Sequence, residues 1–137
     1  MNLPQLTKTL PNGLHDAYLI GFDVSFTDAT AVLRVRILVN SIDEETRHED
    51  AEIYLEGLQA LVIEGPQMIS QPLATPLDIS SFDTTEEYYP AFATFPEAIK
   101  INFLSLYLDD PWNSFIHLAA VSARIAWSAK HPSDLRM

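Results

Sequence analysis

Residues able to carry chemistry are few in this chain, and the first of them stand together: His15 and Asp16. A histidine beside a carboxylate can serve as a general base or a metal ligand. The competing reading is structural. Adjacent residues on a strand point to opposite faces, so both cannot aim at one substrate. The Asp would then accept backbone N–H bonds at a strand entry while the His packs on its neighbours. His117 is a second candidate, placed in the apolar run FIHLAAVSARIAWS. A lone histidine among apolar residues is more often a satisfied, half-buried group than a catalyst. A joint site of His15, Asp16 and His117 requires the first and last strands to be neighbours, as in a closed or strongly curved sheet. His48, Glu49 and Asp50, with Glu52 nearby, offer donors for a divalent ion. They lack the glycine and alternating oxygen ligands of an EF-hand loop, and a solvated acidic loop is the better reading. No metal or cofactor is assigned.

A cluster of rings, Tyr88, Tyr89, Phe92 and Phe95, lies in a proline-rich stretch. Such rings either form a lid over a pocket or seal an open sheet face by burying themselves. Tyr88, Tyr89, Phe92 and Trp112 are the candidate binding residues. The chain has no Walker loop, dinucleotide glycine motif, nucleophile elbow or HExxH.

With 137 residues, the chain suits one domain spanning 1–137. The formal net charge of -11 disfavours nucleic acid and anionic membranes, because phosphate neutralisation needs cations. The acidity serves solubility, or it meets a basic partner protein. With no Cys, disulfide scaffolds, thiolate zinc sites and Cys nucleophiles are excluded. The opening MNLPQLTKTLPNG has no apolar run or basic segment of a signal peptide, and Pro111 to Ala123 is too short to span a bilayer. A cytoplasmic location is expected.

The elements that must position these groups are mostly strands. Residues 1–13 read as an irregular arm ending in an Asn12-Gly13 turn. Tyr18, Ile20, Phe22, Val24 and Phe26 alternate along one face of a first strand. Thr27 to Thr30 turns the chain, and Ala31, Leu33, Val35, Ile37 and Val39 form the inner face of a second strand. Arg34 and Arg36 face outward. Ala51, Ile53 and Leu55 mark a third strand, with Glu52 or Glu56 opposite an arginine, each pair worth at most about 1 kcal/mol. Gly57 marks a bulge or change of direction, after which Leu58 to Glu64 resumes as strand or short helix. Leu77 to Ile79 is a short strand. Thr84 to Glu87 has the form of a capping box and predicts a helix start, cut short by Pro90. Ala98 to Leu108 predicts a strand with Ile99, Ile101 and Phe103 on one face. Asp110 to Asn113 predicts a type I turn. Phe115 to Ser128 is read as a strand, with Val121, Ala123, Ile125 and Trp127 on the face of Phe115 and His117. Residues 129–137 form a polar tail.

The segment NGLHDAYLIGFDVSFTDATAVLRVRILV resembles the "LHDA" opening of small bacterial domains of unknown function. There a Leu-His-Asp-Ala/Ser segment precedes a strand, an Asp-containing turn and a second strand of alternating aliphatics. Some relatives of that pattern are grouped with immunity proteins of polymorphic toxin systems. The resemblance rests on His15, Asp16, Ala17, Asp23 and Leu33 to Val39. It implies a β-rich fold and carries over no catalytic residue.

The expected fold is therefore β-rich α+β: one antiparallel, strongly twisted sheet of about six strands, one face covered by a short helix or loop. Its edges need covering, and a homodimer would supply the cover. Three functions compete. The first is a non-catalytic protein-binding module, of the immunity-inhibitor kind, for a basic partner. The second is a small-ligand binder or hydrolase-like enzyme using His15, Asp16 and His117. The third is a self-associating structural module.

Overall fold

A computed structural model of the chain describes residues 1–40, 46–65, 77–110 and 112–128. Six strands, β1 (Ala17–Ser25), β2 (Thr30–Leu38), β3 (His48–Ile63), β4 (Leu77–Phe82), β5 (Phe103–Leu108) and β6 (Ser114–Trp127), pair antiparallel in the order β1-β2-β3-β6-β5-β4. β4 then pairs back onto β1 through Ala17↔Ile79, so the sheet closes into a barrel. The expectation of an open twisted sheet is corrected by this closure. Closure removes the free edges that motivated pairing into a dimer.

The predicted hairpin is present. Ala31, Leu33, Val35 and Ile37 of β2 point into the core, where Ile53 and Leu55 of β3 meet them. Burial of each such aliphatic side chain contributes roughly 1.5–3 kcal/mol. The face assigned to β1 needs correction. Leu19, Phe22 and Val24 pack on the core, whereas Ile20 is exposed and Phe26, past the strand end, is 89% exposed. A register shift between Leu19 and Gly21 reverses the alternation midway.

A second reversal occurs midway along the β3–β6 pairing. Gly57 has φ +65°, and a Cβ there would lie 2.9 Å from Val121 Cγ2. Leu55 and Leu58 both pack on the core on either side of this glycine, and Ala120 and Ala123 do so opposite them. Phe115 and His117 therefore lie on the outer face of β6, not on the face of Ala123 and Ile125 as strict alternation predicts.

Three local assignments also change. The arm contains a helix, α1 (Leu3–Lys8), capped by a reciprocal Asn2–Gln5 capping box. Its Leu3 and Leu6 join Leu10 and Leu14 in the core. The segment 98–102 is not strand. It holds α2 (Glu97–Lys100), started by Pro96, whose carbonyl accepts from the Ile99 and Lys100 amides at 2.9 Å. Thr84 to Glu87 forms a turn, with Tyr89 N–H bonded to Thr85 O at 2.9 Å. The Thr84 hydroxyl is buried against Ser105 instead of capping a helix, and the helical turn comes later, as a 3-10 turn at Pro90–Thr94. The polar tail 129–137, and Pro111 of the predicted turn, lie outside the described residues. Trp112 N–H bonds Asp109 O at 3.0 Å, so the chain bends from Asp109 onward.

No helix among the described residues is long and apolar enough to cross a membrane.

Candidate functional site

The segment from Asp83 to Pro96 crosses the outer face of β5 and β6 and forms a lid. The sheet supplies the platform, because strand alternation puts Phe103, Ser105 and Tyr107 of β5 outward while Leu104, Leu106 and Leu108 fill the barrel. From β6, Phe115 and His117 stand beside them, with Ser105↔His117 and Tyr107↔Phe115 as direct cross-strand pairs. The lid lays its rings on this platform. Tyr88 stacks on Phe115 at 5.1 Å, Tyr89 stacks on His117 at 4.9 Å, and Phe92 and Phe95 meet Phe103 edge to face at 5.3 and 5.0 Å. These rings form a second apolar layer outside the barrel, each pair adding about 0.5–1.5 kcal/mol beyond its buried area.

Under this lid runs a buried polar chain. Thr84 Oγ1 and Ser105 Oγ are 2.7 Å apart, and Ser105 Oγ is 2.7 Å from His117 Nδ1. On the far side of the ring, Nε2 has no hydrogen-bond partner, and the Glu64 carboxylate lies 3.6 Å from it. Glu64 is itself fixed: its Oε1 accepts from the Phe115 amide at 2.9 Å. Its carbonyl accepts from Trp112 Nε1 at 3.0 Å and from Ser114 Oγ at 3.1 Å. Burial pushes the His117 pKa below its ordinary value, and the Glu64 carboxylate opposes that shift only in part.

Ser105, His117 and Glu64 follow the order nucleophile, base, acid. With the lid closed, Ser105 and His117 are both 0% exposed, so no substrate carbonyl reaches the hydroxyl. The arrangement as it stands ties the lid to the sheet.

The other candidates fall elsewhere. His15 and Asp16 are exposed at the entry to β1, Asp16 at φ +58°. Their neighbours are His48, whose Nε2 donates to the Asp16 carbonyl at 3.0 Å, and Asp78. Burial raises the Asp78 pKa, the Asp16 and Asp109 carboxylates raise it further, and His15 and His48 offset part of the rise. None of these groups is among the partners of His117 given above. Barrel closure joins β1 to β4, whereas β6 lies between β3 and β5, so the first and last strands are not neighbours and the two histidine sites keep separate partners. The segment 48–50 is the start of β3, not a loop. His48 turns to Asp16, Glu49 to Arg47 at 3.3 Å, and Asp50 to Arg36 at 2.8 Å. Among the described residues no three His, Asp or Glu side chains converge as a metal site would need.

Of the candidate binding residues, Tyr89 and Phe92 are half-buried as platform contacts and Trp112 anchors Glu64, while Tyr88 stays exposed at the lid surface. Sequence reasoning missed Ser105, Thr84 and Glu64. The signal available was Ser105 on the alternate face of an aliphatic strand, a small polar residue where a partner is obligatory. A separate open groove of about 380 Å³, lined by Ile20, Arg34, Glu52 and Trp127 among others, lies over β1, β2, β3 and β6.

Compared with protein-family models, with curated proteins and with solved structures, the chain matches none.

Proposed function

We propose that this protein is a non-catalytic binding module that uses its lid to engage a basic partner protein. The observation that carries this reading is the distribution of unneutralised charge. On the hairpin side, acids meet cations: Asp23 with Arg34, Asp50 with Arg36, Glu49 with Arg47 and Glu56 with Arg124. The stretch 77–96 contains no Lys or Arg. Asp83, Glu86 and Glu87 are exposed there, and no ion pair joins them to a described cation. Flanking them in the chain are two exposed rings, Phe82 and Tyr88, 5.9 Å apart and edge to face. Aromatic anchors beside charges of one sign are the composition of a protein-binding surface, with the rings supplying affinity and the charges steering encounter.

An immunity-type inhibitor of a basic toxin fits this reading, and the LHDA resemblance is what suggests it. The fully buried His117, held apart from the exposed His15 and Asp16, argues against the hydrolase-like alternative that joins the three, and the closed barrel weakens the case for self-association through strands.

The test compares the wild-type protein with Asp83→Lys/Glu86→Lys/Glu87→Lys as immobilised baits in an extract of the native host. A basic protein retained at low salt, released by salt, and lost with the triple variant supports the proposal. Retention of nothing at low salt, or equal retention by the two baits, overturns it.

A further inference from the structure

The His117 ring is gripped on both faces, by Tyr89 of the lid at 4.9 Å and by Phe115 at 5.2 Å. Its Nδ1 is tied through Ser105 to Thr84, where the lid leaves β4. The lid is thus attached to one imidazole at two points, a stacked ring and a hydroxyl chain.

We propose that His117 is a proton-sensitive latch: the neutral ring holds the lid shut, and protonation releases it. The inference stands independently of any partner that docks on the lid.

The proton inventory explains why. With the Nε2 proton facing the Glu64 carboxylate, Nδ1 is the acceptor of the neutral ring, so Ser105 donates to it and Thr84 donates to Ser105. A proton added at Nδ1 must donate toward Ser105, so the Ser105 proton has to turn away. Whether it turns to Thr84 or elsewhere, one buried hydroxyl then needs a new acceptor. One carboxylate compensates the cation: Glu64, just past the end of β3, lies 3.6 Å from Nε2 and favours the charged ring, but burial outweighs it. From the lid only the Tyr89 ring faces it, and from β5 only Ser105. Lys100 of α2 is turned to Glu97 and the Phe92 ring. Asp83, Glu86 and Glu87 of the lid point to solvent. Lifting the lid returns the charged ring and the two hydroxyls to water, at the loss of the ring contacts and of a hydroxyl bond already compromised by the proton. Burial lowers the His117 pKa in the closed form, which is the sign this coupling requires.

The experiment is amide hydrogen exchange, expressed as protection factors to remove intrinsic pH effects, from about pH 7.5 to about pH 4.5 across the histidine range. The amides of Tyr89, Phe92 and Phe95, all hydrogen-bonded within the lid, are the reporters. In the wild type their protection falls several-fold as pH drops below the ordinary histidine value, while amides of β2 hold theirs. In His117→Phe, which keeps the stack but cannot titrate, that fall disappears. Unchanged lid protection in the wild type, or the same fall in His117→Phe, overturns the proposal. Should His117→Phe fail to fold, Glu64→Gln decides. Removing the carboxylate that favours the charged ring must move the midpoint to lower pH, and an unmoved midpoint rejects the latch.

Discussion

Ser105 and His117 are direct cross-strand partners on β5 and β6, and their side chains share a 2.7 Å hydrogen bond wholly beneath the lid. The bond links the sheet to the lid, because the same serine hydroxyl also meets Thr84. One small side chain therefore satisfies two buried polar groups on two elements.

Ser105→Ala removes that link and leaves Thr84 Oγ1 and His117 Nδ1 without a partner. The expected loss is about 1–3 kcal/mol in urea unfolding, larger than an alanine on a strand normally costs. The paired change Ser105→Ala/Thr84→Val removes one stranded hydroxyl along with its partner and should recover part of the loss. Equal stability of Ser105→Ala and wild type would show the chain of hydroxyls to be idle.

Two glycines on the barrel should respond very differently to alanine. At Gly57, φ is +65° and the new Cβ would sit 2.9 Å from Val121 Cγ2, against a packed strand. Gly57→Ala should cost about 1–3 kcal/mol, and Val121→Ala in the same chain should relieve the clash but not the backbone strain. At Gly21 the Cβ meets only the guanidinium end of Arg34, a flexible side chain on the surface. Gly21→Ala should cost less than about 1 kcal/mol, since Arg34 swings aside and gives up its exposed pair with Asp23. Thermal unfolding of the three variants checks the order.

Asp78 is expected to weaken the fold at neutral pH. Its carboxyl is partly buried and lies among other acids, so its pKa in the folded protein is raised above 3.8. A raised value means that the favourable contribution is fully present below the unfolded value and is lost as pH rises through the folded one. Asp78→Asn should therefore stabilise the protein at neutral pH, by less than about 1 kcal/mol because the group stays partly solvated. The gain should fade as pH falls and vanish below 3.8. A gain that persists in acid would assign the effect to packing instead.

Asn2 caps α1 and also bridges to the far side of the lid platform. Its Oδ1 accepts from Gln5 N–H at 2.9 Å, and its Nδ2 donates to Ile101 O at 3.1 Å and Asn102 Oδ1 at 3.0 Å. Asn2→Ala should cost more than the roughly 1 kcal/mol of a lost cap, since the long-range bonds go with it. Asn2→Asp restores the cap oxygen alone and should recover only part. Full recovery in Asn2→Asp would show the bridge to be without weight.

The strands were legible because their information is local. Ala31 to Val39 alternates without interruption, and β-branched residues on a pleated, half-buried surface have few other places to go. The hairpin turn, the first half of β3 at Ala51 to Leu55 and the strand nature of Phe115 to Trp127 follow from the same logic. The α1 cap was written in Asn2 and Gln5 as well, a capping box hidden by the prolines at 4 and 11.

What tertiary structure alone decided was phase and closure. Alternation predicts faces only while each residue has one partner. The register shift before Gly21 and the kink at Gly57 against Val121 each reverse the count, and both arise from fitting a coiled strand around a barrel. That reversal is what turned His117 away from Ala123 and Ile125 and set it beneath Tyr89. The partnership of Glu64, Thr84 and Ser105 with His117 joins residues up to 53 positions apart (64 to 117). No spacing rule in a single chain encodes such a meeting, because it depends on which strands become neighbours, and that is settled only when the sheet closes on itself.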